Sequence, residues 1–230
     1  IEEEVFTKVR RNAEDAAILA CRDHLRNLLL TAPVGPEPVI GICCWPPRVR
    51  VLAALDGRGA FLSAVSVTAD TQEGLDAETE KALGAMLEAY SPKGIGISSA
   101  PGGREILHLV QSYLQKNKVP AFGTLVQDAG LSAYSHSPLA VQEFPDKEEQ
   151  ERAAVSVGRR LQDPLRELVK VEPWNLIPTR LATGVNRRRL QSGAVRTVES
   201  VVNRIGADAN TDAVELLRYV SGLQLGVAQA

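Results

Sequence analysis

The segment Ala32-Pro33-Val34-Gly35-Pro36-Glu37-Pro38 constrains this chain's fold more than any other feature. Its closely spaced prolines remove backbone donors and hold the chain extended, so no helix can cross it. Before it, residues 3–30 contain neither Gly nor Pro. There Val5, Val9, Ala16, Ala20, Leu25, Leu28 and Leu29 recur near helical spacing, which predicts one helix. After it come three β-like runs, at residues 39–44, 49–55 and 60–67. Asp56-Gly57-Arg58-Gly59 supplies a hairpin turn between the last two. The proline segment therefore separates a helical lead-in from a sheet.

Helix and strand then alternate. The pattern predicts helices over 73–90, 104–115, 131–143 and 148–162, with strands at 94–98 and 119–126. In the last helix and its continuation, Ala154, Val157, Gly158, Leu161, Leu165, Leu168 and Val169 share one face. Three antiparallel strands followed by such units predict an α/β fold, a mixed five-stranded sheet flanked by helices. That order is the pattern of the ribonuclease-H-like fold. Beyond Glu172-Pro173 a proline-interrupted loop runs to about Asn186, and helices are expected over 192–205 and 211–221. No repeat of 20–50 residues is visible.

With 44% hydrophobic and 23% charged residues the chain is not intrinsically disordered. Its net charge of −2 excludes bulk attraction to a polyanion but not a local one. Residues 1–150 carry 14 Lys/Arg against 20 Asp/Glu, whereas residues 151–230 carry 12 against 8. The excess gathers at Arg152, Arg159, Arg160, Arg166 and Arg187-Arg188-Arg189. Such a cluster is either a solvated helix face or a polyanion contact. No apolar run approaches the roughly 20 residues that span a bilayer. The odd set Cys21, Cys43 and Cys44 is no disulfide framework and suits a reducing intracellular compartment, bacterial cytoplasm or an organelle. The chain opens at Ile1 without a signal-peptide pattern and reads as a piece of a larger protein.

Several further stretches stand out: Tyr134-Ser135, Glu143-Phe144-Pro145-Asp146, Arg159-Arg160-Leu161-Gln162-Asp163-Pro164-Leu165 with Glu167-Leu168-Val169-Lys170, and Gly206-Ala207-Asp208-Ala209-Asn210-Thr211. With them go Leu28-Leu29-Leu30, Val39-Ile40-Gly41-Ile42, Arg104-Glu105, Val185-Asn186, Val201-Val202-Asn203 and Val220-Ser221-Gly222-Leu223. Together these stretches resemble the Tex family of transcription accessory proteins. The resemblance implies a helix from a preceding helical domain at 1–31 and a YqgF-type ribonuclease-H-like domain at 36–172. From 186 to 230 it implies the start of a helix-hairpin-helix region. It further implies binding to nucleic acid, RNA or DNA, without sequence specificity, within a larger complex of protein partners.

Nucleases of the ribonuclease-H-like class hold two Mg²⁺ ions between carboxylates. In the family the first carboxylate stands in a Gly-Ile-Asp-Pro-Gly motif on the opening strand, whereas here the run is Gly41-Ile42-Cys43-Cys44-Trp45. A thiol is a poor substitute where hard, oxygen-seeking Mg²⁺ must bind. The second position is Asp128 and the third Asp163, although Asp163-Pro164 also reads as a helix N-cap with Pro at N1. The site positions Cys43, Asp128 and Asp163 are thus degenerate, and no catalysis, metal or cofactor is expected.

Other candidates have plainer readings. Cys21 and His24 with Cys43-Cys44 make no zinc spacing. Ser98-Ser99-Ala100-Pro101-Gly102-Gly103 lacks a phosphate-loop signature and reads as a strand-to-helix turn. Trp45 and Trp174 could stack bases or simply pack. The expected function is a non-catalytic, nucleic-acid-binding accessory factor of gene expression. The alternative is an assembly subunit of a large ribonucleoprotein or transcription complex, acting through protein contacts.

Overall fold

The computed structural model describes residues 2–45, 48–68 and 77–223, which divide into two compact units. One comprises residues 32–167; the other joins residues 1–31 to 168–230.

The first unit is built on a mixed five-stranded sheet. Its strands are β1 (Val39–Cys43), β2 (Val49–Leu55), β3 (Phe61–Thr68), β4 (Gly94–Ser98) and β5 (Phe122–Val126), in the order β3-β2-β1-β4-β5. β1 pairs antiparallel with β2 and parallel with β4, and β5 continues parallel. This is the ribonuclease-H-like order that the sequence pattern predicts.

Alternation along each strand sends side chains to two cores. Ile40, Ile42 and Cys44 face α2 (Ala77–Tyr90) and α3 (Gly103–Lys116), where Leu83, Met86, Ile106 and Val110 close the layer. Val39 and Cys43 face α6 (Glu149–Gln162), packed with Ala154, Val157 and Leu161. α6 lies against the sheet because two glycines let backbones meet. A Cβ on Gly41 would stand 2.0 Å from the Ala154 carbonyl oxygen, and one on Gly158 would stand 2.6 Å from Leu55. A methyl at Gly41 forces the helix off the strand, whereas one at Gly158 must displace the Leu55 side chain.

Several boundaries differ from the sequence pattern. The helix expected over 131–143 is two, α4 (Leu131–Ser135) and α5 (Pro138–Glu143). Pro138 cannot continue a helix, and the Ser137 hydroxyl caps the new one by accepting from Ala140 N–H. β5 begins at Phe122, after Pro120, rather than at 119. Residues 73–76 of the helix expected over 73–90 lie outside the described residues. Asp163 follows α6, and its carboxylate accepts the Arg166 N–H at 3.0 Å, opening α7 (Pro164–Leu168) as a cap.

The second unit is helical. α1 (Glu2–Leu29) packs through Ile18, Cys21, Leu25 and Leu28 alongside α9 (Arg187–Ile205), which buries Leu190, Ala194, Val198, Val201 and Val202. These i, i+3/i+4, i+7 spacings are the apolar stripes of two amphipathic helices. Val5 and Val9, counted in the helical pattern of α1, stay exposed, as does Phe6. A 3-10 turn (Pro173–Leu176) and α8 (Thr179–Ala182) interrupt the loop before α9. α9 starts five residues earlier than expected, because the Asn186 side chain accepts from Arg189 N–H and caps it there. α10 (Val214–Leu217) is a single turn, far shorter than the 211–221 expected. The turn at Ser221-Gly222-Leu223 is present, and residues 224–230 of the expected helix-hairpin-helix start lie outside the described residues. No helix among the described residues is long and apolar enough to cross a membrane.

Candidate functional site

In an open α/β sheet the usual place for chemistry is the crevice beyond the carboxyl ends of the parallel strands. β1, β4 and β5 end together there, bringing Cys43, Ser98-Ser99 and Asp128 to one edge. The Ser99 hydroxyl donates to Asp128 Oδ1 at 2.9 Å and accepts the Asp128 N–H at 3.1 Å. The Ser98 hydroxyl accepts Cys44 N–H at 3.1 Å. The turn after β4 enters α3 through Gly102, at φ 87°, and Gly103, whose absent Cβ lets it approach the Ser98 carbonyl. Those glycines satisfy backbone geometry, as a plain strand-to-helix turn requires.

Cys43 is fully buried. Burial pushes its thiol up to about 12; donation to the Trp45 carbonyl oxygen opposes this, and the neighbouring Cys44, Glu149 and Asp128 raise it further. Burial likewise pushes Cys44 up to about 11, offset by its hydrogen bond with Ser98 and by Arg50. Both thiols are therefore neutral near pH 7. A neutral thiol at the central position does not fit the Mg²⁺ pair of the fold family, whose ions take anionic oxygen. Among the described residues no group of three or more His, Cys, Asp and Glu could hold a metal ion.

The carboxylate that accompanies Asp128 in acting on Cys43 is Glu149, not Asp163. Glu149 opens α6 and is held by His136 Nε2 at 3.0 Å and the Ser135 hydroxyl at 3.4 Å. Asp163 lies just past the opposite end of the same 14-residue helix, roughly 20 Å along its axis, and is occupied by Arg166. The sequence offers no signal for Glu149, because spacing alone does not say which end of a helix meets the strand edge.

The arginines proposed from sequence do not form one class. Arg160 leaves the candidate set, since its guanidinium is buried and donates to the Gln127 and Ala129 carbonyl oxygens, both at 2.8 Å. Burial lowers it to about 10, against the pull of Glu167 and Asp128. Arg159 donates to the Gly59 carbonyl oxygen at 2.9 Å, pairs with Glu143 at 3.0 Å and lies over the Phe144 ring. Arg152 donates to the carbonyl oxygens of Ser135 and Lys147. Arg166 is exposed and pairs with Asp163. Gln162 donates to the Glu37 and Asp56 carbonyl oxygens at 2.8 and 2.7 Å. The Arg159–Pro164 signature is thus a set of braces, with Tyr134 completing it through its 2.7 Å bond to Glu143.

In the helical unit Arg189 pairs with Glu14 at 3.1 Å and with Asp15. Arg187 and Arg188, in the first turn of α9, are exposed, and their side chains make no hydrogen bond or ion pair among the described residues. The Cys21 thiol lies 3.4 Å from the Leu181 carbonyl oxygen, which leaves it a packing role. Trp45 is exposed and Trp174 half-buried.

Comparison with known proteins agrees with the topology. The model of the Tex protein YqgF-like domain matches residues 48–162. The Protein tex of Bordetella pertussis is 35% identical over 232 residues, covering 99% of this chain and 29% of that protein. The Transcriptional accessory protein Tex of Neisseria gonorrhoeae is 33% identical, covering all of this chain and 30% of its own length. The human S1 RNA-binding domain-containing protein 1 is 30% identical, covering 98% and 23%. The chain therefore spans less than a third of the length of these relatives. The Thermus thermophilus RuvC structure covers 74% of this chain at 18% identity and a TM-score of 0.29, so the fold rests on the strand order itself. With a Tex-type domain matched over half of its length and relatives alike from end to end, this chain belongs to the Tex family.

Proposed function

We propose that this chain is a nucleic-acid-binding part of a Tex-family accessory factor of gene expression, and that its ribonuclease-H-like unit is a non-catalytic scaffold. The observation that carries the reading is the buried, neutral Cys43 thiol at the position where the fold class needs its central carboxylate. A site without that ligand retains shape but loses the chemistry. Binding is supported by the unpaired Arg187 and Arg188, and by the names of relatives that carry transcription and RNA binding. Contacts of this kind are to phosphate and carry no sequence preference. The test is incubation with labelled single strands, duplexes and branched DNA in Mg²⁺ or Mn²⁺. Intact substrate is expected; metal-dependent cleavage that disappears in Asp128→Asn overturns the reading.

A second reading has its own support. Val5, Phe6 and Val9 of α1 are 57%, 74% and 60% exposed, an apolar surface of the kind protein partners cover. On that reading the chain is an assembly subunit, and pull-downs from cells lose a protein partner in Phe6→Asp while nucleic-acid affinity is unchanged.

A further inference from the structure

The helical unit holds a cleft between α1 and the segment that leads into α9. It has a volume of about 790 Å³, within the range of ligand-binding clefts. Thr7, Arg10, Arg11 and Glu14 of α1 form one wall, and Gly184 and Asn186 contribute to the other. Arg10 and Arg11 are exposed, and their side chains have no hydrogen bond or ion pair among the described residues. The acid in the cleft is already occupied, because Glu14 accepts the Asn186 N–H at 2.7 Å and pairs with Arg189. Thr7 is turned to its own helix, donating to the Glu3 carbonyl oxygen. The charge left uncompensated is cationic.

The far wall has room for a ligand. Gly184 has φ 76°, and nothing lies within 4 Å of where a Cβ would stand, so the backbone there is open to the cleft. Asn186, the last residue of that wall, caps α9. Arg10 and Arg11 thus bring two guanidinium groups without protein partners among the described residues to one concavity. Successive phosphates along a flexible strand offer acceptors to both, and guanidinium forks match phosphate geometry. A duplex holds its phosphates on a rigid surface that cannot bend into such a cleft.

We propose that this cleft holds the phosphate backbone of single-stranded nucleic acid, with Arg10 and Arg11 as the contacts. The inference rests on the reading of this chain as a nucleic-acid binder and adds residues and a strand preference to it. The test is fluorescence anisotropy of the whole chain with labelled twelve-nucleotide oligouridylate, the matching duplex and polyglutamate, each across a salt series. Arg10→Glu with Arg11→Glu should weaken single-strand binding at least about tenfold. The slope against log salt should fall by about 1.4, that is about 0.7 per phosphate lost. Arg10→Lys with Arg11→Lys should retain most of the affinity. Thermal unfolding checks the fold, and Arg10→Ala with Arg11→Ala replaces the Glu pair if that pair unfolds. If the Arg10/Arg11 variants bind as the unaltered chain while Arg187→Glu with Arg188→Glu binds weakly, the cleft is excluded and the broader function stands. If the unaltered chain binds no oligonucleotide, both fall. If duplex or polyglutamate occupies the cleft as tightly as the single strand, the assignment is overturned in favour of a general acidic partner.

Discussion

The two units carry equal numbers of cations and use them differently. Each holds 13 Lys/Arg, set among 17 Asp/Glu in the α/β unit and 11 in the helical one. In the α/β unit Arg152, Arg159 and Arg160 are drawn inward to backbone carbonyl oxygens, and Arg166 is matched by Asp163. In the helical unit Arg10, Arg11, Arg187 and Arg188 reach solvent without partners among the described residues. The difference teaches that arginine spacing is a poor guide to binding. A guanidinium has five donors, and where loops leave carbonyl oxygens unsatisfied it stitches them together instead.

Arg160→Met should have the largest effect. The substitution keeps most of the side-chain length but strands the Gln127 and Ala129 carbonyl oxygens and removes one cation that acts on Glu167. Leaving a buried acceptor unsatisfied costs about 1–3 kcal/mol, so urea unfolding should shift by at least that order. Affinity of the folded fraction for oligonucleotide should be unchanged. A stable Arg160→Met protein that has lost binding would return Arg160 to the interface.

The thiols sharpen the contrast at a smaller scale. Cys43 and Cys44 are raised from 9.0 to about 12 and about 11 in the folded state. A raised folded-state value means the folded chain holds the proton that the unfolded chain gives up. Their contribution is therefore complete below about pH 9 and is lost as pH rises through 9 to 12, at up to about 1.4 kcal/mol per pH unit for each thiol. Urea unfolding between pH 8 and 10.5 should show this loss, and Cys43→Ala with Cys44→Ala should reduce it. Equal alkaline sensitivity in that variant would remove the thiols from the account. At pH 8 a thiol reagent should leave both untouched until the protein unfolds.

Much of the α/β unit is legible in the sequence, for physical reasons. The continuous apolar run at 39–44 and the mostly apolar one at 49–55 mark strands covered on both faces, and the Asp56–Gly59 turn fixes the hairpin between β2 and β3. Asp163-Pro164 announces its cap. What spacing does not reveal is three-dimensional adjacency. Glu149 acts on Cys43 from the start of α6, which crosses β1 at Gly41, a close approach that only the folded chain displays. Arg160 looks like surface charge beside Arg159, yet it sits three residues after Val157 on the buried side of α6. In the helical unit the reverse holds. Val5 and Val9 follow the helical period but find no core, and the adjacent Arg10 and Arg11 draw no notice until Thr183–Asn186 closes a wall opposite them.

The central claim is that the helical unit, and not the arginine signature of the α/β unit, grips nucleic acid. The most direct test compares salt dependence of single-strand binding in two charge-reversed proteins, Arg187→Glu with Arg188→Glu, and Arg166→Glu. All three residues are exposed, and such charges contribute little to stability, roughly 0–1 kcal/mol. The account predicts weaker binding to every sequence and a flatter slope in the first protein, with affinity and slope unchanged in the second. A loss confined to Arg166→Glu, with Arg187→Glu and Arg188→Glu silent, would contradict it.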